Sequence, residues 1–168
     1  MTTTTLTATQ VDQAIGVLGH PGLIRLITEI DDHGPIARHM LSRTFPDLPL
    51  QQVRDGSVLA RKHGLIRTGQ HKGQPAYRLT EHGSALADVY DTLARWARAH
   101  HYPSLQVDFT NRVRATLALL AQEPVPADAQ GPAQALRQWI QASRTLLLDA
   151  VAAVHDPAAP PAFRSACG

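Results

Sequence analysis

Residues 49–80 read PLQQVRDGSVLARKHGLIRTGQHKGQPAYRLT, and a change of period inside them decides the fold. The first half is helical in pattern. Pro49 suits a helix start, Leu50, Val53 and Ala60 recur at helical spacing as candidate inward positions, and Gly64 stops the run just after His63. The second half is strand-like. Leu65-Ile66-Arg67-Thr68-Gly69 and Ala76-Tyr77-Arg78-Leu79 are short β-type runs flanking His71-Lys72-Gly73-Gln74-Pro75, where Gly73 can supply a positive φ for a turn. A helix leading directly into strand–turn–strand is the expectation.

Upstream, Phe45-Pro46-Asp47 breaks the chain, and Pro35 is read as opening a short third helix through Ile36, Met40 and Leu41. Two short helices joined by so tight a break form a helix-turn-helix candidate. Before it, Pro21 opens a second helix with Leu23, Leu26, Ile27 and Ile30 as its apolar stripe, and Gly34 stands where it should end. A first helix from Thr9 carries Val11, Ala14, Ile15 and Leu18 up to Gly19. Residues 1–8 are Thr-rich and expected to be a disordered tail.

Downstream, Thr80 can cap a fifth helix carrying Leu86, Val89, Tyr90, Leu93, Trp96 and Ala97, which ends near His100-His101-Tyr102-Pro103. A sixth is expected over about Ser104 to Gln122, through Phe109, Val113, Leu117 and Leu120. Residues 123–132 read as a loop rich in proline. A seventh helix is expected from Ala133 to Val154, with Leu136, Trp139, Ile140, Leu147 and Val151 on its stripe. Residues 155–168 hold Pro157, Pro160 and Pro161 and are expected to form a second disordered tail. The fold class is therefore mainly α with a small β-hairpin.

Composition narrows the function classes. At 168 residues and 43 % hydrophobic the chain is too apolar to be wholly disordered. It has no uncharged apolar run near the ~18 residues of a membrane span, and Met1-Thr2-Thr3-Thr4-Thr5 lacks the features of a secretory signal. A cytoplasmic location without a membrane partner is expected. The single cysteine, Cys167, leaves no disulfide and argues against a thiolate zinc site. His100 and His101, as neighbours on a helix end, point different ways. No phosphate-binding loop, nucleophile elbow or dinucleotide fingerprint is present. Neither a catalytic centre, a metal nor a cofactor is expected.

The net charge of +2 hides an uneven distribution. Between Ile36 and Leu79 stand eight basic residues against two acids, Asp47 and Asp55, while the rest of the chain holds eight basic and twelve acidic residues. A positive block in an otherwise mildly negative chain is the footprint of a surface that binds a polyanion.

Four helices, strand, turn, strand and helix in that order make a winged helix-turn-helix. Three motifs carry a family likeness: Gly34-Pro35 before the third helix, His63-Gly64-Leu65-Ile66 after the fourth, and Tyr77-Arg78-Leu79-Thr80-Glu81-His82-Gly83 entering the fifth. With Trp96 they resemble the HxlR branch of the MarR-like bacterial transcription regulators. The likeness covers about residues 9–103, which sets off a DNA-binding domain from a helical region over 104–154. There are departures. Gly19-His20-Pro21 stands where that branch commonly has Gly-Lys-Trp, and Ala37-Arg38 where Arg-Phe is usual. No N-terminal cysteine is present, and Cys167 lies in an expected tail, so thiol sensing is not expected. The resemblance implies a homodimeric repressor or activator. A PadR-like regulator is the nearest alternative. A small-molecule-sequestering or interaction module on the same fold, without DNA binding, is the alternative from another class.

Within that reading the fourth helix enters the major groove of double-stranded DNA and presents Gln51, Arg54 and Asp55 near its start. The guanidinium fork of Arg54 suits guanine, the amide of Gln51 suits adenine, and Asp55 would orient Arg54 or accept from cytosine. Arg43, Arg61 and Lys62 suit phosphates, and His71 and Lys72 sit at the tip of the wing. Trp96, Trp139 and the Leu146-Leu147-Leu148 run expose more apolar surface than a small domain covers, so a helical dimerisation region is expected. Two copies would then read a palindromic operator. Tyr90, Trp96, Phe109 and Trp139 are the candidate lining of an effector pocket for a small molecule.

Overall fold

Thr7 starts the first helix through a reciprocal cap: its hydroxyl accepts the Gln10 N–H while the Gln10 side chain accepts the Thr7 N–H. In the computed structural model, which describes residues 5–147, this helix, α1, spans Ala8–Leu18. The helix therefore starts inside the stretch expected to be a tail, and Leu6 packs against the core. Residues 1–4 and 148–168, including Val151, Val154 and the expected second tail, lie outside the described residues.

The second helix, α2 (Pro21–His33), is capped by a histidine. Nδ1 of His20 accepts the N–H of Gly22 at 3.1 Å and of Leu23 at 3.4 Å. After Gly34 the chain departs from expectation. Ile36–Ala37 is not the start of a helix but a short strand, β1. The β-branched Ile36 is buried opposite Tyr77, and this pairing takes the residue that the helical pattern had claimed. Helical turns resume only with a 3-10 turn at Arg38–Met40 and the four-residue α3 (Leu41–Thr44). Buried Phe45 ends α3, and α4 follows at Leu50–Lys62. Strands β2 (Ile66–His71) and β3 (Gln74–Leu79) complete an antiparallel sheet in the order β1-β3-β2, three strands where a two-stranded hairpin was expected. Helix α5 runs from Glu81 to Ala99.

The C-terminal third packs back onto this scaffold. Helix α6 is Phe109–Leu120, five residues shorter at its start than the sequence pattern suggested. Asp108 caps it, and the buried Arg112 explains the delay. Its guanidinium donates to the carbonyls of Tyr102, Leu105 and Val107 and so holds that segment out of helical geometry. Helix α7 (Gln130–Ala142) begins before Pro132, which sits in the first turn, where its missing N–H has no helical partner. The continuous helix expected to Val154 is interrupted by a turn at Ser143, with residues 144–147 helical again.

One apolar cluster runs from Val11 on α1 through Tyr90 on α5 to Leu147. The phenol of Tyr90 is fully buried and donates to the Leu18 carbonyl at 2.7 Å, joining α5 to α1. Trp139 and Leu147 are buried inside the same chain, and Leu146 lies against Gly64. Of the apolar groups expected to need a partner surface, Trp139 and Leu147 are thus covered by the chain itself, while Trp96 and Leu146 are half-buried.

Glycines let α2 and α4 approach each other closely. A Cβ on Gly22 would overlap the Gln52 carbonyl oxygen, and one on Gly56 would overlap the Gly22 backbone, lying 2.7 Å from the Leu23 nitrogen. Only hydrogen at both positions permits this crossing. Gly56→Ala is expected to lower unfolding stability by about 1–3 kcal/mol, because rigid backbone rather than a flexible side chain must yield. Gly16→Ala, in the open middle of α1 with nothing within 4 Å, is expected to raise stability by up to about 1 kcal/mol. Urea unfolding of both variants checks the contrast.

Burial pushes the pKa of His20 below its ordinary 6.5, with Asp55 raising it and Arg114 lowering it by smaller amounts. Protonating the ring also destroys the acceptor that caps α2. The unfolded chain takes up this proton more readily than the folded one, so the contribution is complete above pH 6.5 and fades as pH falls through the depressed folded value. His20→Asn keeps a capping acceptor without a titrating group. Its melting temperature should fall less between pH 7 and pH 5 than that of the parent, as scanning calorimetry would show.

Candidate nucleic-acid interface

With Val53, Gly56 and Ala60 turned onto the core, α4 leaves Gln51, Arg54, Asp55, Val58, Arg61 and Lys62 on its exposed side. Leu50, expected to face inward, is 47 % exposed, because the chain enters α4 from Pro49 before the helix reaches α2. Asp55 does not orient Arg54. It accepts from Nε2 of Gln51 at 2.8 Å, the contact that four-residue spacing allows and adjacent positions do not.

Both ends of α4 are anchored. Ahead of it, Arg25 on α2 grips Asp47 with two hydrogen bonds, one at 3.1 Å from Nη2 to Oδ1, and lies 5.5 Å over the Phe45 ring. The guanidinium holds the Asp47 carboxyl below its usual range, and the carboxylate raises Arg25 in return. Behind α4, Gly64 takes φ +63, which lets the Leu65 N–H reach the Ala60 carbonyl at 2.8 Å. Thr80 then locks the corner. Its N–H donates to the Leu65 carbonyl, its hydroxyl donates to the Gly64 carbonyl at 2.6 Å, and the same oxygen accepts the Gly83 N–H to cap α5. His63 is 1 % exposed, its Nδ1 3.1 Å from the Leu146 carbonyl oxygen, so the C-terminal segment braces the same corner.

The β2–β3 hairpin springs from this root. Its turn is tighter than expected: His71 pairs with Gln74 and Pro75 lies in β3, leaving Lys72 and Gly73 alone in the loop with φ of +50 and +75. That is the mirror-image two-residue turn that matches strand twist. Lys72 is exposed at the tip and His71 is half-buried. Arg67 faces Arg78 across the strands, and Arg78 turns away to donate to the Gln70 carbonyl at 2.9 Å.

The sequence reading of the site missed Arg38. Its guanidinium lies 5.7 Å over the Tyr77 ring, and with His39, Gln74 and Pro75 it borders a groove of about 740 Å³ beside β3. Nothing local announces this, since it depends on the β1–β3 register. Among the described residues, neither Arg43, Arg54, Arg61, Lys62, Arg67 nor Lys72 enters an ion pair. Both acids of the basic block are engaged, Asp47 by Arg25 and Asp55 by Gln51. The positive charge of this region is left to face solvent.

The four aromatics read as an effector pocket play different parts. Tyr90 and Trp139 are core residues, with Trp139 Nε1 donating to the His82 carbonyl at 3.1 Å. Trp96 is half-buried, donates to the Asp128 carbonyl at 2.8 Å and stacks on His100 at 4.5 Å. It clasps the segment leading into α7. Phe109 borders a cleft of about 650 Å³ between α2 and α6, beside Arg25, Asp47 and Gln52. The expected common lining is therefore corrected: the indole and phenol groups donate to backbone carbonyls of three separate segments, at Leu18, His82 and Asp128. Among the described residues no group of three or more His, Cys, Asp or Glu side chains is placed to hold a metal ion. Nor is any described helix long and apolar enough to cross a membrane.

Compared with protein-family models, curated proteins and solved structures, the chain matches none.

Lys72 occupies a left-handed position that asparagine tolerates better. Lys72→Asn is expected to raise the melting temperature slightly while removing the charge from the tip, a combination that calorimetry can check before any binding assay.

Proposed function

We propose that this protein is a DNA-binding transcription regulator, with α4 in the major groove and the β2–β3 hairpin alongside as the wing of a winged helix-turn-helix. The observation that carries the reading is α4 itself. It is clamped at both ends and at its middle, yet its outward side bears Arg54, Arg61 and Lys62 with no protein partner among the described residues. A helix about 10–12 Å across fits a groove about 12 Å wide. Arg54 presents a bidentate fork to guanine, and the Gln51–Asp55 pair presents donor and acceptor edges already in place. Arg38, Arg43, Arg61, Lys62 and Lys72 meet phosphates. The likeness of Gly34-Pro35, His63-Gly64-Leu65-Ile66 and Tyr77–Gly83 to the HxlR branch of the MarR-like regulators supports the same conclusion. Two copies on a palindromic site would double the length of sequence read. Such pairing would use a surface other than Trp139 and Leu147, which the chain already covers. A second reading, a small-molecule-binding module, rests on the cleft of about 650 Å³ between α2 and α6.

Fluorescence anisotropy with duplexes enriched from a random library tests the reading. With these five cations meeting phosphates, affinity should fall about 500-fold per copy bound between 50 and 200 mM salt. Arg54→Ala should weaken the enriched site by about tenfold or more while leaving the melting temperature in place. Equal, salt-insensitive binding by parent and variant would contradict it.

A further inference from the structure

Four large hydrophobic side chains are exposed among the described residues, and three of them, Met40, Leu50 and Val58, fall within the basic segment. Of these three Val58 is the most exposed, at 59 %. At 100° per residue it lies at the centre of the outward side of α4, one turn beyond Arg54 and Asp55, one turn before Arg61 and Lys62, and seven residues from Gln51. Helix stability does not explain it, since an exposed β-branched residue is a poorer helix former than alanine. A second copy of the chain is a poor occupant, because it would bring the same cations against Arg54, Arg61 and Lys62. The partner that fits is a polyanion whose recognised surface carries apolar groups. The major groove of DNA is such a surface, and the apolar group it shows is the thymine methyl.

We infer that Val58 is a specificity-determining contact for a thymine methyl group, an inference that rests on the DNA-binding reading. Gln51 and Val58 are separated by about 10 Å along the helix axis, roughly three base steps at 3.4 Å each. The polar reading by Gln51, Arg54 and Asp55 is thus extended by an apolar one, and the strip specifies a short run of bases containing thymine at the position Val58 meets. An α4 carrying only polar side chains would leave that methyl unread.

The test uses the full chain and the duplex it enriches most strongly from a random library. Each thymidine of that duplex is replaced in turn by deoxyuridine, which deletes the methyl and nothing else. At one position the replacement should weaken binding by about fourfold, the value of one buried methyl. Val58→Ala should bind the thymidine and deoxyuridine forms equally, with the melting temperature of the parent or higher. An enriched duplex indifferent to every replacement would overturn the inference while leaving the DNA-binding reading intact. Val58→Ala that still discriminates would overturn the assignment to this residue. A library from which nothing is enriched would overturn the DNA-binding reading and this inference together.

Discussion

Gly22 and Gly56 bring the backbones of α2 and α4 closer than any side chain would allow, and the rest of the molecule is arranged around that crossing. With no Cβ on either helix at the contact, α4 cannot rotate about its axis without driving a neighbouring side chain into α2. Its inward residues, Val53 and Ala60, are thereby fixed, and so by exclusion are its outward ones. The ends are held by different chemistry. The Arg25–Asp47 pair positions the approach, while Thr80 ties the exit, at Gly64 and Leu65 just ahead of β2, to the start of α5. A helix held at its beginning, middle and end keeps its exposed side chains in a constant frame, which recognition of a regular partner such as a duplex requires.

The C-terminal helices complete that frame. Trp139 donates to the His82 carbonyl, the His82 ring reaches the Ser143 hydroxyl at 3.1 Å, and His63 meets the Leu146 carbonyl oxygen. Three polar contacts within eight residues set this segment on the corner where α4, β2 and α5 meet.

Much of this was legible in the sequence. The hairpin was marked by Gly73 between two β-type runs, and α2 and α4 by their prolines, glycines and three- and four-residue apolar steps. Other features were hidden for identifiable reasons. Ile36 carries a helical spacing but is drawn into a strand by Tyr77, a partner some forty residues away. The delayed start of α6 depends on where the Arg112 guanidinium finds carbonyls, which no local pattern encodes. Leu147 and Trp139 look like surplus apolar surface until the fold shows what covers them. The candidate contacts on α4 were legible because helical period dictates facing. The Gln51–Asp55 bond was open to the same reasoning, whereas Arg38 depended on sheet register.

The proposed surface for duplex DNA is α4 with the hairpin beside it. The most direct measurement follows backbone amide resonances of the labelled full chain during titration with an enriched duplex. If that surface meets the duplex, shifts are concentrated at Gln51, Arg54, Asp55, Val58 and Lys72, with the amides of α1 and α7 undisturbed. Shifts confined to the cleft between α2 and α6, with those five residues silent, would contradict it.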